Sequence, residues 1–233
     1  MTLDDVWPLF GITLATPRLV LRPVRDEDLP HVVEAIASGL HDPARTPFAA
    51  PWADAPADEL PLNTARWIWQ QRSGTSPEKW TVAFGIWTHD GALLGVQDVA
   101  AKNFPALRTV ETGSWLRQSE QGQGVGTEMR VAVLLWAFDH LGAEVAMTSA
   151  YEWNAASLGV SRRLGYAPNG EGRHSPRPGV VERELRFRLA REDFKRPDWQ
   201  LTVSGAEAAA AFLGVPSKGA KDDGGRLPAE GDL

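Results

Sequence analysis

Arg117-Gln118-Ser119-Glu120-Gln121-Gly122-Gln123-Gly124-Val125-Gly126-Thr127-Glu128 separates two segments of different periodicity. Before it, Val110-Glu111-Thr112-Gly113-Ser114-Trp115-Leu116 reads as a strand. After it, Val131, Leu134, Leu135, Phe138 and Leu141 fall at helical spacing on one face. A strand, a glycine-rich turn and a helix N-terminus in that order make a site for anionic groups. The turn's N–H groups are free, glycine lets a ligand approach the backbone, and the helix dipole favours negative charge. Two common phosphate sites do not fit. A nucleotide-hydrolase loop ends in Gly-Lys-Ser or Gly-Lys-Thr, and this stretch has no lysine. The dinucleotide fingerprint needs glycine at offsets zero, two and five, whereas Gly122, Gly124 and Gly126 stand at zero, two and four, with Thr127 at five.

Composition narrows the class further. The 233 residues suffice for a substantial core, and 43% hydrophobic with 23% charged residues is ordinary for a globular protein. A formal net charge of −6 argues against a general nucleic-acid binder. With no cysteine, disulfides, a thiolate nucleophile and cysteine-ligated zinc are excluded. The start, Met1-Thr2-Leu3-Asp4-Asp5, lacks the basic-then-apolar layout of a secretory signal, and no apolar run approaches a membrane span. The expectation is a cytoplasmic protein with neither membrane nor nucleic-acid partner. His31, His41, His89, His140 and His174 show no ligand spacing, so no metal is expected either.

Along the chain, Thr16 to Pro23 reads as a first strand, and Asp26-Glu27-Asp28 opens a helix running to about Gly39. His41 to Pro61 holds five prolines, with Phe48 and Trp52 between them, which suits a pocket wall or lid. A helix follows over Asp58 to Arg72, with Ala65, Ile68 and Trp69 on one side. From Trp80 the period changes to two: Val82, Phe84 and Ile86 alternate, His89-Asp90-Gly91-Ala92 turns, and Leu94 to Ala100 returns. After the glycine turn and its helix come a short strand (Glu144 to Ala150), a helix capped by Asn154 and closed by Gly165, and a strand over Val181 to Leu189. The order β-α-α-β-β-β-α-β-α-β favours an α+β layered domain. Ser204 with Glu207 resembles a capping box for a short helix, and Pro216 to Leu233 is nearly devoid of apolar residues. The domain reading is 1–195 for the main domain, 196–215 for a C-terminal extension and 216–233 for a disordered tail.

Gln121, Gly124 and Gly126 fill the pattern Gln/Arg-x-x-Gly-x-Gly/Ala. This resembles the pyrophosphate-binding motif of the GCN5-related N-acyltransferase (GNAT) superfamily, whose element order also matches. About 30 residues later, Asn154-Ala155-Ala156-Ser157 to Leu164-Gly165-Tyr166 is similar to the family's Asn-x-x-Ala/Ser…Leu-Gly-Phe helix. Thr127-Glu128 and Trp115-Leu116 resemble the ribosomal-protein N-terminal acetyltransferase (RimJ/RimL-like) branch. His41-Asp42-Pro43 to Pro51-Trp52, Gly113 to Leu116 and Ser161-Arg162-Arg163 resemble actinobacterial members described as succinyltransferases. The resemblance spans about Thr16 to Leu189. It implies a central mixed, mostly antiparallel twisted sheet with helices on both faces and a V-shaped splay between the two central strands. It also implies acetyl-CoA or succinyl-CoA as donor, a small-molecule or peptide/protein amine as acceptor, and a homodimer as in other strand-rich members.

Acyl transfer to an amine needs a deprotonated amine, a polarised thioester carbonyl and a proton for the leaving thiolate. The resemblance gives Glu111, ten residues before Gln121, the role of base. Ser157 takes the role of partner to the thiolate; a phenolic acid is in doubt because Ser161 stands where many members have tyrosine. For the coenzyme it implies Leu116, Gln121, Gly122, Gln123, Gly124, Val125, Gly126, Thr127, Asn154 and Arg162, with Arg163 beside the last. Phe48, Trp52, Asp98 and His174, the last in a loop over Gly170 to Gly179, are substrate-side candidates. The leading expectation is an acyl-CoA-dependent N-acyltransferase working by direct attack in a ternary complex. Its rival is a non-catalytic acyl-CoA-binding regulatory module, in which Glu111 and Ser157 are incidental.

Overall fold

A computed structural model describes residues 1–215; the tail over 216–233 lies outside the described residues. In chain order the elements are α1 (Leu3–Val6), β1 (Thr13–Ala15), β2 (Leu19–Pro23), α2 (Leu29–Ala37), α3 (Leu60–Ser73), β3 (Lys79–Thr88), β4 (Leu93–Lys102), α4 (Phe104–Leu107), β5 (Thr109–Leu116), α5 (Val125–Asp139), β6 (Val145–Tyr151), α6 (Ala155–Leu164), β7 (Ala167–His174), β8 (Glu182–Ala190), β9 (Thr202–Ser204) and α7 (Ala206–Phe212). The strands form one mixed sheet in the order β7-β8-β6-β5-β4-β3-β2-β1-β9. Every pair in it is antiparallel except β5 with β6.

Alternation along β3 shows how the layers are made. Trp80, Val82, Phe84 and Ile86 enter one apolar cluster with α5, while Trp87 enters a second with α2 and α3. Helices therefore cover both faces of the α+β sheet, each strand contributing every second residue to each side. α5 departs from the one-sided stripe its spacing predicts. Every residue from Glu128 to Phe138 is buried, with Trp136 wedged against Trp80 and Phe84. A helix hydrophobic all round is one enclosed on all sides.

Other expectations need correction. α3 buries Leu60, Thr64 and Ile68, while Trp69 is exposed and donates its indole N–H to Asp26. Asp26-Glu27-Asp28 form a single 3-10 turn rather than the first turn of α2, because Arg22 holds the Asp28 carboxylate from β2. Ser204 closes β9 instead of capping a helix; Gly205, at φ +70, caps α7 and lies so close to the Gly11 carbonyl that no Cβ fits. Of the loop expected over Gly170 to Gly179, the part up to His174 belongs to strand β7, which starts at Ala167. Among the described residues no helix is long and apolar enough to cross a membrane.

The feature that positions the site is a fork. β5 and β6 pair only over Thr109–Glu111 and Val145–Met147, and then separate. Beyond that point their facing edges are left to side chains, with the Thr148 hydroxyl donating to the Thr112 carbonyl at 3.2 Å. The glycine turn and the start of α5 stand at the open end of this V.

Candidate active site

Gly122 and Gly124 adopt φ +76 and +82, the left-handed region where a side chain costs about 1–2 kcal/mol. A Cβ on Gly122 would meet nothing within 4 Å, and one on Gly124 would meet only the Arg18 guanidinium, at 3.4 Å. The turn is thus open on its outer side. Among the described residues no acceptor takes the N–H of Gly122, Gln123, Gly124, Val125 or Gly126; the first turn's bonds run from Thr127 and Glu128 to the Gly124 carbonyl. Five free N–H groups at the start of a 15-residue helix form an anion cradle.

Two arginines stand at its rim. Arg18 donates to the Gln123 carbonyl at 3.1 Å and is held by the buried Glu128 carboxylate at 2.6 Å, which also accepts from Thr16. Arg163 reaches the Thr127 hydroxyl at 3.1 Å. Arg162, its neighbour on α6, lines a groove of about 450 Å³ with Glu152, Tyr166, Glu171 and Arg183. Gln121 braces the turn: its amide nitrogen donates to the carbonyls of Leu40 at 2.8 Å and Leu116 at 3.2 Å. Gln123 does likewise through the Ser119 carbonyl.

At the other lip of the V, Asn154 caps α6 by accepting the Ser157 N–H at 3.1 Å. Ser157 is half-buried, and its hydroxyl has no partner among the described residues. Glu111 is exposed on β5 at the last paired position before the strands part, opposite Ala100 and Met147. Asp98 shares its face: it lies opposite Gly113, and a Cβ there would sit 2.9 Å from the Asp98 carboxylate. Burial pushes the Asp98 carboxyl above its usual range, against the lowering effect of its own backbone and of Arg130.

That face continues across β6 and β8 through Ser149, Tyr151, Glu182 and Glu184. His174, at the end of β7, contacts the Glu184 carboxylate at 3.2 Å. Burial raises the Glu184 carboxyl, but hydrogen bonds from Arg186 and Ser149 and the neighbouring His174 outweigh it and hold it low. Phe48, Trp52 and Trp115 pack in sequence with tilted rings, at centroid separations of 4.7 and 6.3 Å. The Tyr151 hydroxyl ties this wall to the sheet by donating to the Phe48 carbonyl. Arg177, in the β7–β8 connection, clamps the proline-rich segment through Pro43, Ala44 and Asp54. Sequence reasoning missed Arg18 and Arg177, whose roles rest on contacts more than a hundred residues away. Arg130, a buried cation two residues after Glu128 on α5, carries no local signal in the sequence.

Residues 18–167 match the family described as the acetyltransferase (GNAT) domain, and the chain belongs to that family. Solved structures agree at the level of fold. RimJ of Mycobacterium smegmatis, in complex with CoA-disulfide, is 19% identical, with 88% of this chain and 95% of that one aligned and a TM-score of 0.66. RimL, a ribosomal alpha-N-protein acetyltransferase in complex with coenzyme A, is 17% identical over 75% and 95%, with a TM-score of 0.57. A GNAT-family acetyltransferase from Bacillus anthracis is 15% identical over 77% and 99%, with a TM-score of 0.59. Among the described residues no group of three or more His, Asp or Glu side chains could hold a metal ion.

Proposed function

We propose that the protein moves an acetyl or succinyl group from coenzyme A to a primary amine by direct attack in a ternary complex. The observation that carries this reading is the cradle of free N–H groups between Arg18 and Arg163, at the open end of the β5–β6 fork. A pyrophosphate on that cradle leaves the fork as the place for the thioester arm, along the Leu116 edge of β5. Glu111, at the fork's apex, accepts the proton of the incoming amine, directly or through water. The amine nitrogen bonds to the acyl carbon, the carbon–sulfur bond breaks, and Ser157 hydrogen-bonds the departing thiolate until it gains a proton. With no cysteine in the chain, no cysteine can carry the acyl group between donor and acceptor.

The acceptor class is a small-molecule, peptide or protein amine; the name of the RimL structure, an alpha-N-protein acetyltransferase, favours the last. Resemblance in the segments around Pro43, Trp115 and Arg162 favours the succinyl donor. The test is thermal stabilisation and calorimetric binding with acetyl-, succinyl- and free coenzyme A, beside Gly124→Glu. The added carboxylate faces the pyrophosphate and forces a side chain onto φ +82, so binding should fall by more than about 100-fold. Equal binding by wild type and variant defeats the proposal, as does no binding by the wild type. Tight binding without transfer to any amine leaves the regulatory module as the reading.

A further inference from the structure

Arg130 is only 4% exposed, yet among the described residues no carboxylate pairs with it. Its three bonds are long and go to neutral oxygens: Nε to Gln97 Oε1 at 3.3 Å, Nη1 to Thr148 Oγ1 at 3.2 Å, and Nη2 to Ser114 Oγ at 3.4 Å. A guanidinium has five N–H donors, so these bonds leave two, with only the Tyr166 hydroxyl in reach of them. A buried cation without an anionic partner is costly, and proteins ordinarily pair or exclude one.

Its location gives that cost a purpose. Ser114 lies on β5 and Thr148 on β6, both beyond the last paired residues, so the guanidinium spans the gap where the two strands have parted. Beside it the Tyr166 hydroxyl is buried without a hydrogen bond of normal geometry, with the Arg130 guanidinium and the Thr112 side chain within reach of it. Burial pushes the Tyr166 hydroxyl up, which keeps it a neutral donor. The amide nitrogen of Gln97 is already committed to the carbonyls of Asp98 and Gly113. Asp98, the nearest carboxylate in electrostatic reach, stands on the opposite face of the sheet, and burial opposes its ionisation. The floor of the fork is therefore a set of unspent donors around one positive charge.

We infer that Arg130 and Tyr166 seat a carboxylate at the far end of the acyl group, so that the donor is the coenzyme A thioester of a short dicarboxylic acid. The inference rests on the proposed function, which puts the thioester arm in the fork. An acetyl methyl group gives the cation nothing to bind. A carboxylate exchanges the long Ser114 contact for a charge-assisted pair and satisfies the phenol.

The test is calorimetric titration of the full chain with succinyl-, butyryl- and free coenzyme A; the first two have equally long acyl chains and differ by the carboxylate. The wild type should prefer succinyl over butyryl by about ten-fold or more, the scale of one charge-assisted hydrogen bond. Arg130→Met should remove the preference and leave free coenzyme A binding unchanged, and Tyr166→Phe should reduce it. Where circular dichroism shows that Arg130→Met does not fold, Arg130→Lys replaces it, with a reduced preference expected because lysine cannot make the two-pronged contact. Equal wild-type affinities for succinyl and butyryl forms overturn the inference, as does a preference that survives every Arg130 variant. Free coenzyme A bound without donor preference defeats this inference alone; no binding of any form defeats the proposed function beneath it.

Discussion

The two faces of the sheet differ in charge where β5 and β6 part. On the α5 face the fork presents donors: the free N–H groups of the turn, Arg18 and Arg163 at its rim, and Arg130 on its floor. On the other face carboxylates gather, Glu111, Asp98, Glu182 and Glu184, with Arg186 and Arg188 interleaved on β8, beneath a wall of Phe48, Trp52 and Trp115. Under the proposed function, the donors meet the anionic carrier and the carboxylates meet the cationic amine. Because strand residues alternate between faces, the two environments need only one-residue steps along the same strands, as from Glu111 to Thr112.

If the acidic face serves the amine alone, Glu111→Gln should lower kcat by about 10²–10⁴-fold while donor affinity stays within about two-fold of wild type, read by steady-state kinetics beside calorimetry. A parallel loss of donor binding would mean that the faces are not independent. On the donor face, Arg18→Ala and Arg163→Ala should each weaken coenzyme A binding by about five-fold, with the loss shrinking in high salt because both side chains are partly solvated. An effect indifferent to salt would show packing rather than charge.

The smallest effect concerns Asp98, whose folded-state carboxyl is raised by burial. Its ionisation therefore opposes folding: the penalty is absent below about pH 4 and complete once pH exceeds the raised folded value. Asp98→Asn should melt higher than wild type at pH 7, and the gap should close as pH falls toward that limit. A gap that is constant with pH would remove Asp98 from the account of the acidic face.

What was legible in the sequence is what is local. Gly122 and Gly124 announce the turn because only glycine tolerates their torsions and leaves room for a ligand, and Asn154 and Gly165 mark the ends of α6 by the same local logic. β7 was hidden because Ala167-Pro168-Asn169-Gly170-Glu171-Gly172 has the composition of a turn, and only pairing with β8 makes it a strand. β1 and β9, three residues each, are too short to show a period. The contact of Arg163 with the Thr127 hydroxyl depends on the packing of α6 against α5, which a run of two arginines does not disclose. Arg130 escaped for a similar reason: its partners Ser114 and Thr148 sit on separate strands.

The pairing of β9 with β1 carries a consequence in time rather than space. Thr13, Leu14 and Ala15 lie opposite Ser204, Val203 and Thr202, so the outermost strand of the sheet comes from nearly the other end of the chain. At ordinary rates of synthesis the outer edge of β1 waits about ten to forty seconds for its partner to be made. Through that interval the sheet exposes an unpaired edge, a template for pairing with other chains, and closing it is a long-range and therefore late event in folding.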